Sequence, residues 1–223
     1  MSARATVIVF PGSNGDRDLF ETFERAGFET RYHDSREPLP NGLDLVGLPG
    51  GFAYGDYWRA GMLASPAAAI HGIKAHVDRG GLAIGICNGF QILVEAGLLP
   101  GALRNNEPNP VYHHRWIEIE HVGEHDSPWL AGSAPGQRLR MPMAHGEGNY
   151  FHPEGPDAIR DRIAFRYVNN PNGSMGNAAA LLDPTGRILG VMPHPERASL
   201  PLLGSEDGAR LFEAAHRYCE QRA

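Results

Sequence analysis

Cys87 stands where a buried-strand pattern gives way to a helix pattern. The apolar segment 82–86 precedes it, and glycines lie two residues away on either side, at Gly85 and Gly89. This spacing matches the nucleophile elbow G-x-S-x-G, with cysteine in place of serine. Glycine is needed there because the turn is tight and other backbone passes close to it. The pattern predicts a nucleophilic thiol at the carboxyl end of a sheet, where open α/β folds bind ligands.

The helix predicted after Cys87 affects the chemistry of the thiol. A helix N-terminus favours the thiolate, and the N–H of Asn88 is placed to stabilise an oxyanion. The alternative is a small buried residue, since cysteine is among the most buried residue types, but the flanking glycines favour the nucleophile. Cys219 lies in the last predicted helix among polar residues, and we interpret it as structural or surface.

A base and an orienting carboxylate occur in the segment 190–197, which reads GVMPHPER. Prolines on both sides of His194 favour extended backbone, in which residues two apart point to the same side. Glu196 can then accept a hydrogen bond from one imidazole nitrogen while the other faces a thiol. Cys87, His194 and Glu196 thus supply the three roles of a catalytic triad. A polar, proline-rich surface turn is the alternative interpretation.

A second histidine pattern, at 121–125, resembles a zinc motif without its setting. His121, Glu124 and His125 match H-x-x-E-H, which needs a helix to bring both imidazoles to one face. Because the segment contains Gly123 and follows strand-like alternation, a polar loop is favoured and no metal site is predicted. The sequence also contains no P-loop and no G-x-G-x-x-G pattern.

The elements that position these residues alternate in the first half of the chain. Buried-strand runs alternate with segments whose apolar residues recur at helical spacing. This predicts an α/β fold with an open, mostly parallel twisted sheet and helices on both faces. The predicted strands are 5–10, 28–34, 43–48 and 82–86; the predicted helices are 19–26, a helix from Pro66 to Gly80 with Ser65 as N-cap, and 90–99.

After about Pro100 the pattern changes to short alternating strands. These predict an antiparallel region added to the parallel sheet, followed by a helix from near Ser205. We see no repeat or linker and expect one domain over 1–223. The predicted strands are 116–119, 138–143, 164–168, 179–182 and 188–192, the last two forming a hairpin.

Composition excludes several classes of protein. The chain has 223 residues, 42% of them hydrophobic, and a formal net charge of -6. The negative charge and the absence of a Lys/Arg cluster disfavour nucleic-acid and anionic-membrane partners. No apolar run approaches the roughly 20 residues of a transmembrane helix, and the N-terminal run is too short for a signal peptide. With only two cysteines, we expect a cytoplasmic protein.

The segment GICNGFQ at 85–91, together with the late His-Pro-Glu at 194–196, resembles the class I (triad) glutamine amidotransferases. Longer matches run along nearly the whole chain. They resemble one branch of this family, the glutaminase subunits of phosphoribosylformylglycinamidine synthases of the purine pathway. The matching segments are VFPGSNGDRD at 9–18, LPGGFAYGDYWRAG at 48–61, GICNGFQIL at 85–93, MAHGEG at 143–148 and VMPHPERA at 191–198.

The resemblance implies that glutamine is hydrolysed through a thioester on Cys87. His194 would move the protons, and Glu196 would hold the tautomer of the imidazole. The residues implied for the oxyanion hole are Gly51, Phe52 and Asn88, and those implied for glutamine binding are Gln91, His145 and Gly146.

The resemblance also implies partners. Ammonia would pass to a synthetase subunit that carries ATP and Mg²⁺, with a small accessory subunit in the same complex and no cofactor in this chain. The loop 52–59 holds four aromatic residues and an arginine, which are types enriched at interfaces. We predict that it docks the synthetase, with packing over the pocket as the alternative. The residues predicted for the interface are Tyr54, Tyr57, Trp58 and Arg59.

Two other functions are compatible with the same residues. One is a triad amidotransferase that serves a different ammonia acceptor, and the other is a catalytically silent, amidotransferase-like binding module. The chain departs from the pattern at Gly15, where relatives commonly carry cysteine. This position lies outside the predicted triad. We interpret the loop 13–16 as a tight turn, with an anion site at the following helix as the alternative.

Overall fold

The computed structural model describes residues 2–123 and 125–222. The strands are β1 Arg4–Val9, β2 Glu29–Asp34, β3 Leu45–Leu48, β4 Leu82–Ile86, β5 Ala102–Arg104, β6 His113–His121, β7 Arg138–His145, β8 Asn149–Phe151, β9 Ile163–Tyr167, β10 Ala178–Leu182 and β11 Ile188–Val191. The helices are α1 Asp16–Ala26, α2 Ala68–His71, α3 Ile73–Asp78, α4 Asn88–Glu95 and α5 Ala209–Glu220.

Nine of these strands form one sheet in the order β2-β1-β3-β4-β11-β10-β9-β6-β7. From β2 to β11 every neighbouring pair is parallel. All residues of β3, β4 and β11 are buried, which explains why these strands are continuous apolar runs and not alternating ones. The predicted α/β fold with a mostly parallel sheet is confirmed.

The other end of the sheet is antiparallel. β10 pairs with β11 and β9, and β6 pairs with β9 and β7, all in antiparallel register. The predicted antiparallel region of the second half is therefore confirmed. The sequence did not predict the separate antiparallel pair of β5 and β8, since strands of three residues are too short to show a period of two.

The helix predicted from Pro66 begins later and is broken. Its N-cap is Ala67, and Gly72 separates α2 from α3. A Cβ at Gly72 would lie 2.7 Å from Cβ of Leu39, so the chain is closely packed at the break. The prediction of Ser65 as N-cap is wrong, because its hydroxyl donates to the Met62 carbonyl oxygen at 2.9 Å.

The last helix also begins later than predicted, at Ala209 instead of near Ser205. Asp207, which precedes the helix, accepts a hydrogen bond from the N–H of Arg140 at 2.8 Å. α5 then packs on α1, where the rings of Phe23 and Phe212 lie 5.8 Å apart. None of the helices in the described part of the chain combines the length and apolar character that crossing a bilayer requires.

Candidate active site

β3, β4 and β11 are neighbouring parallel strands, so their carboxyl ends lie side by side at the same end of the sheet. Gly50 follows β3, Cys87 follows β4, and His194 follows β11. The N–H of Cys87 donates to the carbonyl oxygen of Val191 at 2.8 Å, which joins the ends of β4 and β11. The order of strands in the sheet therefore brings together residues that are far apart in the sequence.

Cys87 lies between β4 and α4 with φ 51° and ψ -104°. Residues held in such sparsely populated regions cost about 1–3 kcal/mol each and cluster at functional sites. The flanking glycines are required by packing. A Cβ at Gly85 would lie 2.5 Å from the carbonyl oxygen of Gly89, and one at Gly89 would overlap the carbonyl oxygen of Leu48. The turn therefore has the strained geometry expected of an elbow.

His194 is buried, with 2% of its surface exposed. Its Nδ1 lies 2.6 Å from Oε1 of Glu196, which is buried as well. Its backbone N–H donates to the carbonyl oxygen of Pro142 at 2.8 Å, which holds the segment against β7. Burial lowers the pKa of His194, but the Glu196 carboxylate and the Cys87 thiol outweigh burial and raise it. The imidazole is thus hydrogen-bonded to a carboxylate and close enough to the Cys87 thiol for the thiol to affect its pKa.

The side chains of Cys87 and His194 flank the same glycine. A Cβ at Gly50 would lie 2.9 Å from Cε1 of His194 and 3.6 Å from Cβ of Cys87. Both side chains line one pocket. The thiol donates to the Ala144 carbonyl oxygen at 3.6 Å, while Nε2 of His194 is buried without a hydrogen-bond partner within the described residues. This arrangement can support attack by a thiolate with an imidazole as base.

Backbone N–H groups beside Cys87 form a candidate oxyanion hole. Among residues 2–123 and 125–222, no protein group accepts a hydrogen bond from the N–H of Gly51 or Asn88. Phe52 differs. It lines the pocket, but its N–H donates to the carbonyl oxygen of Gly12 at 3.2 Å. The expected oxyanion contact from Phe52 is therefore wrong, because this stretch pairs with the loop after β1.

Gln91 and Gly146, both expected to bind glutamine, line the same pocket. The Gln91 amide is held at both ends. Its Nε2 donates to the Glu147 carbonyl oxygen at 2.7 Å, and its Oε1 accepts from Nδ2 of Asn88 at 2.9 Å. These contacts give Gln91 a second task, since it links the start of α4 to the loop after β7.

His145, the third residue expected at the substrate, also lines the pocket and is buried. Its Nδ1 lies 3.1 Å from Oδ1 of Asn106. Burial, with smaller effects of His194 and His113, lowers the pKa of His145 to about 3. This imidazole is therefore neutral at physiological pH and offers a hydrogen bond, not a charge, to whatever occupies the pocket.

Comparison with known proteins assigns the chain to a family. Residues 2–219 match the CobB/CobQ-like glutamine amidotransferase domain. The phosphoribosylformylglycinamidine synthase subunit PurQ of Ruegeria sp. is 45% identical over 216 residues, 95% of this chain and 96% of the relative. The subunit of the same name from Cereibacter sphaeroides is 47% identical over 215 residues, again 95% and 96%. This chain belongs to the PurQ family of glutamine amidotransferases.

A solved structure agrees with this assignment to the PurQ family. In the structure of PurLQS from Thermotoga maritima, one chain is 40% identical, with a TM-score of 0.89 over 98% of this chain and 99% of that chain. A glutamine amidotransferase from the same organism is 19% identical with a TM-score of 0.58. This more distant likeness concerns the fold alone.

In this PurQ-family chain the loop after β3 is exposed in part. Trp58 has 85% and Tyr57 has 71% of its surface exposed, whereas Tyr54 packs against the core. Arg59 pairs with Glu95 of α4 at 2.6 Å. The alternative of local packing thus fits Tyr54, while Tyr57 and Trp58 leave an aromatic surface beside the pocket.

Sequence reasoning missed several residues of the pocket. All of them except Tyr112 lie in segments that match the family, but these segments belong to separate loops, and only the fold shows that they converge. The pocket residues that were not predicted are Asn14, Asp56, Tyr112, Glu147 and Arg197.

The loop that contains Gly15 forms a close turn, in which the Gly15 N–H donates to the Gly50 carbonyl oxygen at 3.0 Å.

The two histidines of the zinc-like pattern make other contacts. Nδ1 of His121 lies 3.0 Å from Oγ of Ser133, and Nε2 of His125 lies 2.9 Å from the Ile163 carbonyl oxygen. Glu124 lies outside the described residues. No group of three or more His, Cys, Asp or Glu side chains suited to a metal ion occurs in 2–123 and 125–222.

Proposed function

We propose that this chain is the glutaminase subunit of a phosphoribosylformylglycinamidine synthase and that Cys87, His194 and Glu196 are its catalytic residues. The observation that carries this proposal is that Cys87 and His194 line one pocket at the carboxyl ends of β4 and β11, with Glu196 hydrogen-bonded to Nδ1 of His194. Membership of the PurQ family supports the choice of glutamine as substrate and of purine biosynthesis as the pathway.

In the proposed reaction, His194 takes the proton of the Cys87 thiol, and the thiolate attacks the side-chain amide carbon of glutamine. The C–N bond breaks, His194 gives its proton to the leaving ammonia, and a thioester remains on Cys87. His194 then takes a proton from water, the water oxygen attacks the thioester carbon, and glutamate leaves while the thiol regains its proton. Glu196, bonded to Nδ1 at 2.6 Å, holds the tautomer that leaves Nε2 for this proton transfer.

The unpaired N–H groups of Gly51 and Asn88 support a role for both in binding the oxyanion of each tetrahedral intermediate. Preorganised donors of this kind contribute about 2.7–4 kcal/mol each to transition-state stabilisation. Asn88 is the first residue of α4, so the positive end of the helix dipole adds to the effect.

The ammonia released by this reaction needs an acceptor. We propose that a synthetase subunit receives it, that the synthetase carries the ATP and Mg²⁺ of the amination, and that a small accessory subunit completes the complex. The likeness to a chain of PurLQS supports this assembly. We further propose that 1–223 form one amidotransferase domain, since the family match spans 2–219, and that the protein works in the cytoplasm, where its two free thiols stay reduced.

Reconstitution tests the proposed function. Combined with its synthetase and the substrates of the amination, the chain is expected to release glutamate from glutamine in step with formylglycinamidine product. Glutamate and product are measured in the same samples, with the synthetase and ammonium chloride as the control. A complex that forms product from ammonium but never from glutamine would contradict the proposal, and glutamate release without product would point to another acceptor.

We also propose that the loop 52–59 docks the synthetase and transmits docking to the oxyanion hole. Tyr54, Asp56 and Trp58 all have a positive φ, so the loop holds strain that a partner could compensate. The Asn88 side chain connects this loop to the nucleophile, since its Oδ1 accepts from the Ala53 N–H at 3.0 Å. A shift of the loop would thus move the Asn88 side chain at the start of α4.

Substitution of exposed loop residues tests the docking proposal. Trp58→Ala and Arg59→Ala are expected to reduce the synthetase-dependent stimulation of glutamine hydrolysis about tenfold, because both remove interface side chains. Basal turnover of the isolated chain should change much less. Stimulation is measured by titrating the synthetase, with Tyr32→Ala, an exposed aromatic on the edge strand β2, as the control. Full stimulation and unchanged complex affinity in both loop variants would show that the partner binds elsewhere.

A further inference from the structure

A series of alternating charges connects helix α1 with the proposed triad. Nε of Arg197 donates to Oδ2 of Asp18, in α1, at 3.0 Å and lies 3.7 Å from Oε1 of Glu196. The same Glu196 oxygen lies 2.6 Å from Nδ1 of His194. The order from the helix to the imidazole is therefore carboxylate, guanidinium, carboxylate, imidazole. The proposed reaction gives no role to the first two groups.

The Glu196 carboxylate needs a nearby cation because it is buried. Glu196 is 1% exposed, and its Oε2 has no hydrogen-bond partner within the described residues. Burial disfavours a charged carboxylate, and a neighbouring positive charge favours it. His194 is charged only when it is protonated, whereas the Arg197 guanidinium is always charged. Arg197 therefore balances the charge of Glu196 while the imidazole is neutral.

Helix α1 also holds the backbone of the segment that follows β11. Oγ of Ser199 donates to the carbonyl oxygen of Glu196 at 2.8 Å, and Nη2 of Arg25 donates to Oγ of Ser199 at 3.2 Å. Arg25 and Asp18 lie in the same helix. Since these contacts do not involve the Asp18 carboxylate, loss of its pair with Arg197 is not expected to release the segment from α1.

Arg197 is also close enough to the nucleophile to affect its protonation. It lines the pocket that holds Cys87. Burial lowers the pKa of Arg197, but its two carboxylate neighbours outweigh burial and raise it, and Cys87 contributes in the same direction. Charge interactions act both ways, so the guanidinium favours loss of a proton from Cys87 and His194, which together form the catalytic pair.

We propose that Arg197 is a positioning residue of the triad: held by Asp18, it orients the Glu196 carboxylate and favours the deprotonated state of the catalytic pair. This inference rests on the proposed glutaminase function and predicts two opposite effects. Without the guanidinium, the catalytic pair holds its proton to a higher pH. Without the Asp18 carboxylate, the guanidinium charge is no longer partly neutralised, and the catalytic pair loses its proton at a lower pH. A salt bridge that served stability alone would give the same effect whichever partner was removed.

Other titratable groups surround the catalytic pair, and all of them remain in the variants compared. Burial lowers the pKa of His145, at the end of β7, to about 3, and burial raises the pKa of Tyr112, so both side chains are neutral near neutral pH. Asp56 titrates closer to neutrality, because burial and the charge of Glu147 raise its pKa to about 6. The neighbouring elements add Tyr167 of β9 and, at the start of α5, Asp207 and Arg210. Since none of these groups changes, opposite shifts in two variants identify the removed charge as their cause.

Alkylation by iodoacetamide tests the proposal without requiring turnover. The rate of modification of Cys87, followed by mass spectrometry as a function of pH, reports its thiolate. In Arg197→Gln the midpoint is expected to rise by about 0.5–1 pH unit. In Asp18→Asn it should fall by about 0.3 unit, a smaller change because Asp18 is farther away and its side chain is 45% exposed. Arg197→Lys keeps the charge and should stay close to the unmodified chain.

The acid limb of the pH profile of kcat/KM for glutamine, measured in the complex with the synthetase, should move in the same directions. Arg17→Gln is the matched control, since it removes a cation of α1 that pairs with Glu21 in solvent. This variant should leave both midpoints unchanged.

The signs of the shifts separate the outcomes. An upward shift in Arg197→Gln with a downward shift in Asp18→Asn supports the proposal, and any other combination in folded variants overturns it. If thermal unfolding shows that Arg197→Gln does not fold, Asp18→Asn decides: a downward shift supports the proposal and an unchanged midpoint overturns it. Either result leaves the glutaminase proposal intact. An unmodified complex that never hydrolyses glutamine overturns the glutaminase proposal and this inference together.

Discussion

Cys87→Ser is expected to lower kcat for glutamine hydrolysis about 10⁴-fold or more. The hydroxyl is close in size to the thiol, but an alcohol beside this imidazole is a much weaker nucleophile than a thiolate. The measurement is release of glutamate by the complex, together with thermal unfolding of the variant. Because the substitution is conservative and the elbow strain is set by the backbone, the unfolding temperature should change little.

Cys219→Ser provides the matched control for the nucleophile. Cys219 is buried in α5, where burial and, second, the charge of Asp44 raise the pKa of its thiol to about 12. It therefore stays protonated and should be dispensable for turnover. Normal activity of a folded Cys87→Ser protein would remove the proposed nucleophile, and loss of activity in Cys219→Ser alone would exchange the roles of the two cysteines.

The elbow at Cys87 could be predicted from the sequence because its requirements are local. Glycines are needed where a strand turns sharply into a helix that packs on a neighbouring strand. In this chain the glycines are Gly85 and Gly89, and backbone oxygens exclude a Cβ at both positions. The pairing of His194 with Glu196 is local for the same reason, since the two residues are separated by one proline.

What the sequence did not reveal depends on contacts between distant segments. The N–H of Phe52 donates to the carbonyl oxygen of Gly12. This hydrogen bond joins two loops, and no residue pattern predicts it. Asp56 and Glu147 are 91 positions apart and meet only because β3 and β7 deliver their following loops to one pocket. The close packing of Gly72 against Leu39, at the break between α2 and α3, likewise joins segments that are far apart in the sequence.

The adjacency of β4 and β11 is the step on which the site depends most. More than 100 residues separate the two strands, and periodicity predicts each strand without giving its neighbours. The register pairs Val191 with Ile86. The residues that follow the two strands therefore lie next to one another at the carboxyl ends of the strands. The triad was therefore inferred from residue types and roles, while its assembly depends on sheet topology.

His194→Ala is expected to be nearly as damaging as loss of the thiol, with kcat about 10⁴-fold lower, whereas Glu196→Ala should cost about 10²- to 10³-fold. The imidazole moves the protons, while the carboxylate at 2.6 Å orients it and stabilises its charged form. Because the two act through one another, the double variant should be no worse than His194→Ala alone. Single-turnover and steady-state rates of all three variants measure this, with Glu206→Ala at an exposed position as the control. If the two losses multiplied in the double variant, Glu196 would act independently of His194, and its role as the orienting residue would have to be abandoned.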